Sequence, residues 1–390
     1  PPFSSRRRHT RSCLKSRGLG DVYKRQPQVI AGTPEHPTNS DALDAMFDWF
    51  FNVYGGPNNL DLAYYISVPG LTPRVGDNLR APYGDEYTVG ASFRLGNRGV
   101  VRADYVHREY GSFYASEIVP GSIVEVPDSG GAVIDQAVYI NDDSVYGREY
   151  DAIMARFDYR IGSRWNIGAN YTWSEAWGNF DGETFDSGPV PGSFFEYTEY
   201  KEASWNVPDG LLGIDQTHKF RAWVVWDAIA TSHHNLSLSL LQNFFSGTPY
   251  SAIGRIDTTP YVGDPGDLGY ANRPAAPNYF FSDRGAFRTE DVTRTDIALN
   301  YSFFINIGGG QLELFLQPEV VNVFNEQAVE TPNTTVFTAR NDGSLETFNP
   351  FTETTVEGVH WRKGPSWGEA QSEDSYQQPR TFRFSLGLRF

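Results

Sequence analysis

Apolar and polar residues alternate one for one in several stretches of the chain, the period of a strand whose two faces meet different surroundings. The pattern is strictest at 381–390, where Phe382, Phe384, Leu386, Leu388 and Phe390 share one face and Thr381, Arg383, Ser385, Gly387 and Arg389 the other. Residues 87–95 repeat it, with Tyr87, Val89, Ala91, Phe93 and Leu95 against Thr88, Gly90, Ser92 and Arg94. Residues 165–174 set Trp165, Ile167, Ala169, Tyr171 and Trp173 against Asn166, Gly168, Asn170, Thr172 and Ser174. Weaker versions at 101–110, 150–161, 220–227, 236–245, 293–305 and 312–324 bring the predicted strands to nine.

The connections alternate in length. Residues 96–99, 162–164, 228–234 and 307–310 are short hairpin turns, whereas 111–149, 175–217, 247–291 and 325–378 are long and rich in Gly, Pro, Asp and Asn. Loops this long are uncommon in compact soluble domains. Strict alternation of turns and loops is the habit of a transmembrane β-barrel, with turns on the periplasmic side and loops outside. No apolar run is long enough for a membrane helix, the densest being AWVVW at 222–226. A chain of this kind crosses a membrane only as a barrel.

Trp165 and Trp173 stand about 26 Å apart along their strand at ~3.3 Å per residue. Tilted by about 40°, that spans roughly 20 Å of height, close to the apolar band between the aromatic girdles of such barrels. Trp165, Trp173, Tyr87 and Phe93 are the candidate girdle residues. A soluble β-sandwich or propeller also alternates, but leaves girdle-spaced tryptophans and one-sided long loops unexplained, and no repeat of propeller length is present.

Composition fits short, half-polar strands: 27 Phe, 22 Tyr and 9 Trp among 390 residues. The formal charge is -16, yet residues 1–26 are strongly basic and leave the remainder at -23. A basic arm suits nucleic acid or membrane, but this one reads as translated sequencing adapter, and no apolar stretch follows its arginines as in a signal peptide. The natural N-terminus is expected upstream, and no nucleic-acid partner is expected. Cys13 lies in that segment, so the rest has no thiol chemistry.

Pairs of opposite charge recur two residues apart on the polar faces: Arg102 with Asp104, Arg156 with Asp158, Arg294 with Asp296. They suit a salt-bridge lattice along or across strands, or a docking surface inside a barrel. His233 and His234 are adjacent in a predicted turn, and His107, His218 and His360 have no spaced partner. Asp264, Asp267 and the run Asn141, Asp142, Asp143 do not match a calcium-loop spacing and read as solvated acids. No phosphate loop, nucleophile elbow or spaced carboxylate pair stands out, so neither an enzyme nor a cofactor site is expected.

Several stretches resemble TonB-dependent outer-membrane receptors, and within them the Oar-like group: FNVYGGPNNLDLAYYISVPG from Phe51, GDEYTVGASFRLGNRG from Gly84, IDQTHKFRAW from Ile214, SGTPYSA from Ser246, FLQPEVVNVFNEQ from Phe315 and the terminal RTFRFSLGLRF. NVFN at Asn322 and the final Phe390 are the most specific. The resemblance implies an all-β, antiparallel transmembrane barrel, of which this chain supplies about nine or ten C-terminal strands of 22. It also implies a plug and TonB box elsewhere, energised uptake of a scarce nutrient, and a C-terminal signal, Phe382 to Phe390, read by the barrel assembly machinery.

The expected organisation is a non-native segment at 1–26, an extracellular loop region at 27–85, and barrel strands at 86–390. Residues 41–54 are expected as ordered loop, and SGTPY at Ser246 as the way out of a strand. The expected partners are outer-membrane lipid, the plug and remaining strands, the TonB complex and the assembly machinery. A passive porin, or a surface adhesin or protein-export receptor that uses the long loops, is the alternative. A closing strand without its first-strand partner predicts an open, curved sheet.

Overall fold

A computed structural model of the chain describes residues 38–56, 73–126, 131, 133–180, 195–274, 276–307 and 310–390. The adapter-like segment 1–26 and much of 27–85 lie outside them. The chain divides into two units, Pro1–Arg74 with Ser122–Gln136, and Val75–Gly121 with Ala137–Phe390.

The first unit contains a short hairpin of Ile123–Glu125 with Val133–Asp135 and a helix where the sequence reading expected loop. The α-helix Asn39–Asp48 runs on as a π-helix, Trp49–Tyr54. Thr38 caps it reciprocally: its Oγ1 accepts from Asp41 N–H at 3.2 Å, and the Asp41 carboxylate accepts from Thr38 N–H at 2.9 Å. Gly55, at φ 101°, ends it.

The second unit is built on a meander of nine strands. They are β1 (Tyr83–Leu95), β2 (Gly99–Gly111), β3 (Arg148–Ile161), β4 (Trp165–Gly178), β5 (His218–Ala230), β6 (His234–Phe245), β7 (Val292–Ile307), β8 (Gly310–Val321) and β9 (Thr381–Arg389). Each pairs antiparallel with the next in chain order, and a short strand, Gly210–Leu211, adds to β4. The sheet is open: among the described residues, β1 and β9 each have a strand on one side only.

All nine predicted strands are present, most of them a few residues longer than the alternation alone indicated. The strand expected at 312–324 stops at Val321, because Asn322 takes a left-handed φ of 56° that breaks the ladder. The turn expected at 228–234 is tighter, since β5 reaches Ala230 through a bulge after Asp227 and β6 begins at His234.

The pairing register carries one polar and one apolar face through all nine strands. On the polar side Ser92 lies opposite Arg102, Arg102 opposite Arg156, Arg156 opposite Asn170 and Asn170 opposite Arg221. The series continues to Asn243 and Arg294, and closes with Glu319 opposite Arg383 on β8 and β9. A slip of one residue within a pairing inverts everything beyond it; the one-residue shift after Asp227 falls at the turn end of β5 and β6, beyond these pairs.

The buried core is not in the apolar face. Val89 is 74% exposed, Phe382 74% and Phe390 104%, and Tyr87, Phe93, Ile153 and Leu386 are exposed with them. A contiguous apolar surface of this size marks an interaction with another apolar medium. The cores sit instead among the loops that join β2 to β3, β4 to β5, β6 to β7 and β8 to β9. One gathers Trp205, Ile256, Tyr279, Phe281, Phe348 and Trp361 from three of these loops. Another holds Phe113, Tyr146 and Phe180, and a third Ile118, Tyr197, Tyr200 and Tyr270. The long loops are thus a packed layer at one end of the sheet, not separate excursions.

Candidate functional site

The apolar face places all four candidate girdle residues on the same side. Trp165 begins β4 at the turn end, and Trp173 lies towards the loop end. The Trp165 ring stacks on Trp226 of β5, centroids 5.2 Å apart and planes 10° apart. Tyr87 stacks on His107 at 6.3 Å, and Phe93 lies opposite Val101 beside the first turn.

Aromatic–histidine pairs occupy both ends of the face, a feature the spacing argument missed because each partner is on another strand. Towards the loops, Tyr171 Oη lies 2.9 Å from His218 Nδ1, and Tyr105 donates to Asp151 at 2.6 Å beside His107. Towards the turns, His234 Nδ1 lies 2.7 Å from Tyr301 Oη and its ring packs on Phe303. Such rings present an apolar body and a polar tip, which suits a boundary between two media. His107, His218 and His234 are used in this way.

On the polar face the three predicted charge pairs form along their own strands. Arg102 Nε reaches Asp104 at 2.7 Å, Arg156 Nε reaches Asp158 at 2.6 Å, and Arg294 Nε reaches Asp296 at 3.1 Å. Cross-strand pairs, not predicted, join Arg389 to Glu313 at 3.2 Å, Arg383 to Glu319 at 3.4 Å, and Arg108 to Glu86. Close packing on this face uses glycines: a Cβ on Gly168 would stand 2.2 Å from the Trp223 ring, and one on Gly387 2.4 Å from the Phe315 ring.

NVFN at Asn322 builds the junction of β8 with its loop. Asn322 is fully buried and Asn325 also has a positive φ, 54°, a region that Asn tolerates better than most residues. The Asn322 amide donates to the carbonyls of Glu326 at 2.9 Å and Gln378 at 3.0 Å, while its Oδ1 accepts from Glu326 N–H at 2.9 Å. Its backbone N–H donates to Asp296 at 2.9 Å, which ties the junction to the Arg294–Asp296 pair. The motif is thereby accounted for as architecture.

Asp215, in IDQTHKFRAW, is a second anchor that the sequence did not single out. Its side chain is wholly buried, pairs with Arg288 at 2.8 Å, and accepts from Ala176 N–H at 3.1 Å and Thr217 Oγ1 at 3.0 Å. The run Asn141, Asp142, Asp143 likewise holds a loop. Asp143 accepts from the Ser112 N–H and from Arg80, and Asn141 donates to the Ser112 carbonyl at 2.6 Å.

The loop layer contains a cavity of about 270 Å³ lined by Asp257, Tyr261, Arg340, Glu346, Phe348 and His360. Aromatic walls with opposed charges suit a polar organic ligand. His360 Nδ1 accepts from Val356 N–H at 3.0 Å, leaving Nε2 as its donor. Nearby, hydrogen bonds from Ser344, and then Arg362 at 2.6 Å, hold the Asp342 carboxyl down to about 2. Burial lowers the Lys201 ammonium and raises the Tyr250 and Tyr279 hydroxyls. No cluster of three or more metal-ligating side chains occurs among the described residues.

No protein-family profile matches the chain. Over 201 residues it is 25% identical to the TonB-dependent transporter Oar of Myxococcus xanthus, a match covering 50% of this chain and 18% of that protein. The crystal structure of the outer membrane transporter YddB from Escherichia coli aligns with 66% of this chain and 30% of that one, at a TM-score of 0.41 and 12% identity. The chain spans less than a third of the length of either.

Proposed function

From an outer-membrane β-barrel sheet similar to that of TonB-dependent transporters, we propose that this chain is part of an energised importer that passes a scarce nutrient through the outer membrane. The observation that carries this reading is the division of labour in the second unit: a nine-strand sheet apolar on one face and charged on the other, capped at one end by loops with their own core and a cavity. The apolar face meets lipid, the charged face lines the lumen, the turns face the periplasm and the loops capture ligand outside. The plug, the TonB complex and the barrel assembly machinery are the partners this role requires, the last recognising Phe382 to Phe390. Binding and passage, without bond chemistry, are the activity.

The test is uptake by whole cells of a panel of labelled iron chelates, glycans and peptides, with and without a protonophore. An importer loses accumulation of its ligand when the proton-motive force collapses. Uptake that is unaffected and merely equilibrates would identify a passive channel instead. Deletion of 325–378 should abolish ligand binding at the cell surface, and unchanged binding would remove the loops from the proposal.

A further inference from the structure

The polar face carries a pattern that spacing along single strands does not reveal. Register sets Arg102 opposite Arg156, Arg156 opposite Asn170, Asn170 opposite Arg221, Arg221 opposite Asn243, and Asn243 opposite Arg294. This single row crosses β2 to β7, about 24 Å at ~4.8 Å per strand, and contains arginines and asparagines but no carboxylate. It runs obliquely to the ends of the sheet. Arg102 lies near the turn that begins β2, whereas Arg221, Asn243 and Arg294 lie near the loop ends of β5, β6 and β7.

The loop end of the row is unusual in its charge balance. Arg102, Arg156 and Arg294 each have an aspartate two residues away, but Arg221 donates instead to Asn243 Oδ1 at 2.9 Å, with its guanidinium 5.9 Å from the Phe245 ring. That contact orients the amide. Asn243 is 1% exposed, and its Nδ2 has no hydrogen-bond partner among the described residues, a donor left without an acceptor on the strand between those of Arg221 and Arg294. Asp296, on the same face of β7, is already taken by Arg294 and by the Asn322 N–H.

We propose that Arg221, Asn243 and Arg294 form a carboxylate-binding site, and that its ligand is an acidic polypeptide segment lying along the arginine row. Guanidinium pairs bind carboxylates through parallel N–H donors, and the exposed Arg221 stem can turn to let an oxygen reach Asn243 Nδ2. A polypeptide fits better than a small free anion for two reasons. The row is as long as about seven extended residues at ~3.3 Å each, and a polypeptide presents several carboxylates to it at once, where a small anion presents one. The site holds or fails independently of whether the protein transports.

The experiment is fluorescence anisotropy of a labelled oligoglutamate peptide with the protein in detergent micelles at low salt. Saturable binding is expected, with none for oligoglutamine, and Arg221→Gln with Arg294→Gln should weaken it by about tenfold or more. Asn243→Asp should weaken it as much by placing a carboxylate of the protein's own between the arginines, with a melting temperature unchanged or raised. That last readout separates a filled site from a misfolded sheet. Equal binding of oligoglutamine, wild-type affinity in the variants, or a lowered melting temperature of Asn243→Asp would each overturn the site. Displacement of the peptide by inorganic phosphate at matched anion concentration would reduce it to a general oxyanion site and overturn the polypeptide assignment.

Discussion

Asn322 and Gln378 lie 56 positions apart, yet the amide of the first donates to the carbonyl of the second at 3.0 Å, so that one buried side chain fastens both ends of the last long loop. The same amide ties down Glu326 through two further hydrogen bonds. Asn322→Ala should therefore cost about 3 kcal/mol, from lost hydrogen bonds at ~1 kcal/mol each and a left-handed backbone that alanine tolerates poorly. Limited proteolysis should then cut within 322–380 long before the strands are touched. Cleavage at the wild-type rate would show that the loop is held elsewhere.

Gly168 and Trp223 make a cross-strand pair in which the indole occupies the space a side chain would need. Gly168→Val should destabilise the sheet by about 1–3 kcal/mol through overpacking. Trp223→Ala in the same molecule should recover part of that loss, because the two changes act on one volume. Additive losses in urea unfolding would count against the contact.

Acid should loosen the last long loop through Asp342. Its carboxyl lies at about 2 against an ordinary 3.8, held by Ser344 and Arg362. The folded value is the lower one, so the stabilisation is complete above the ordinary value and fades as pH falls towards about 2. Protection of 338–345 against hydrogen exchange, taken relative to the intrinsic rate at each pH, should fall over that range in the wild type. Asp342→Asn should show the lower protection at neutral pH already, with little further change on acidification.

The two faces of β9 should respond oppositely to charge. Phe384→Arg places a cation in the apolar band and should cost about 2–4 kcal/mol near the membrane midplane. Ser385→Arg, one residue on, joins the charged face beside Gln317 and should cost much less. Folded yield in the outer membrane, read from heat-modifiable migration, should separate the two variants.

Where the sequence was readable, the period was local. Phe382 to Phe390 and Trp165 to Trp173 declare their faces without any partner, since alternation along one strand already separates lipid-like from water-like surroundings. The helix at Asn39–Asp48 was passed over for loop because its signal is a single capping box, Thr38 with Asp41, in a stretch dense in aromatics that reads equally as short helix, strand or loop. The loop core was hidden for a different reason. Trp205, Tyr279 and Trp361 are far apart in sequence and have no period, so only the fold brings them together. The arginine row is of the same kind: each Arg was visible, but their alignment depends on five pairing registers at once.

The central claim, that one face of this sheet meets lipid and the other water, is tested most directly by single-cysteine scanning of 165–174 in a Cys13→Ser background. Each cysteine would carry a nitroxide, in protein embedded in lipid vesicles. Collision with oxygen, which partitions into lipid, should peak at 165, 167, 169, 171 and 173, and collision with a water-soluble nickel chelate at 166, 168, 170, 172 and 174. Chelate access at both sets of positions, or no alternation, would contradict the account.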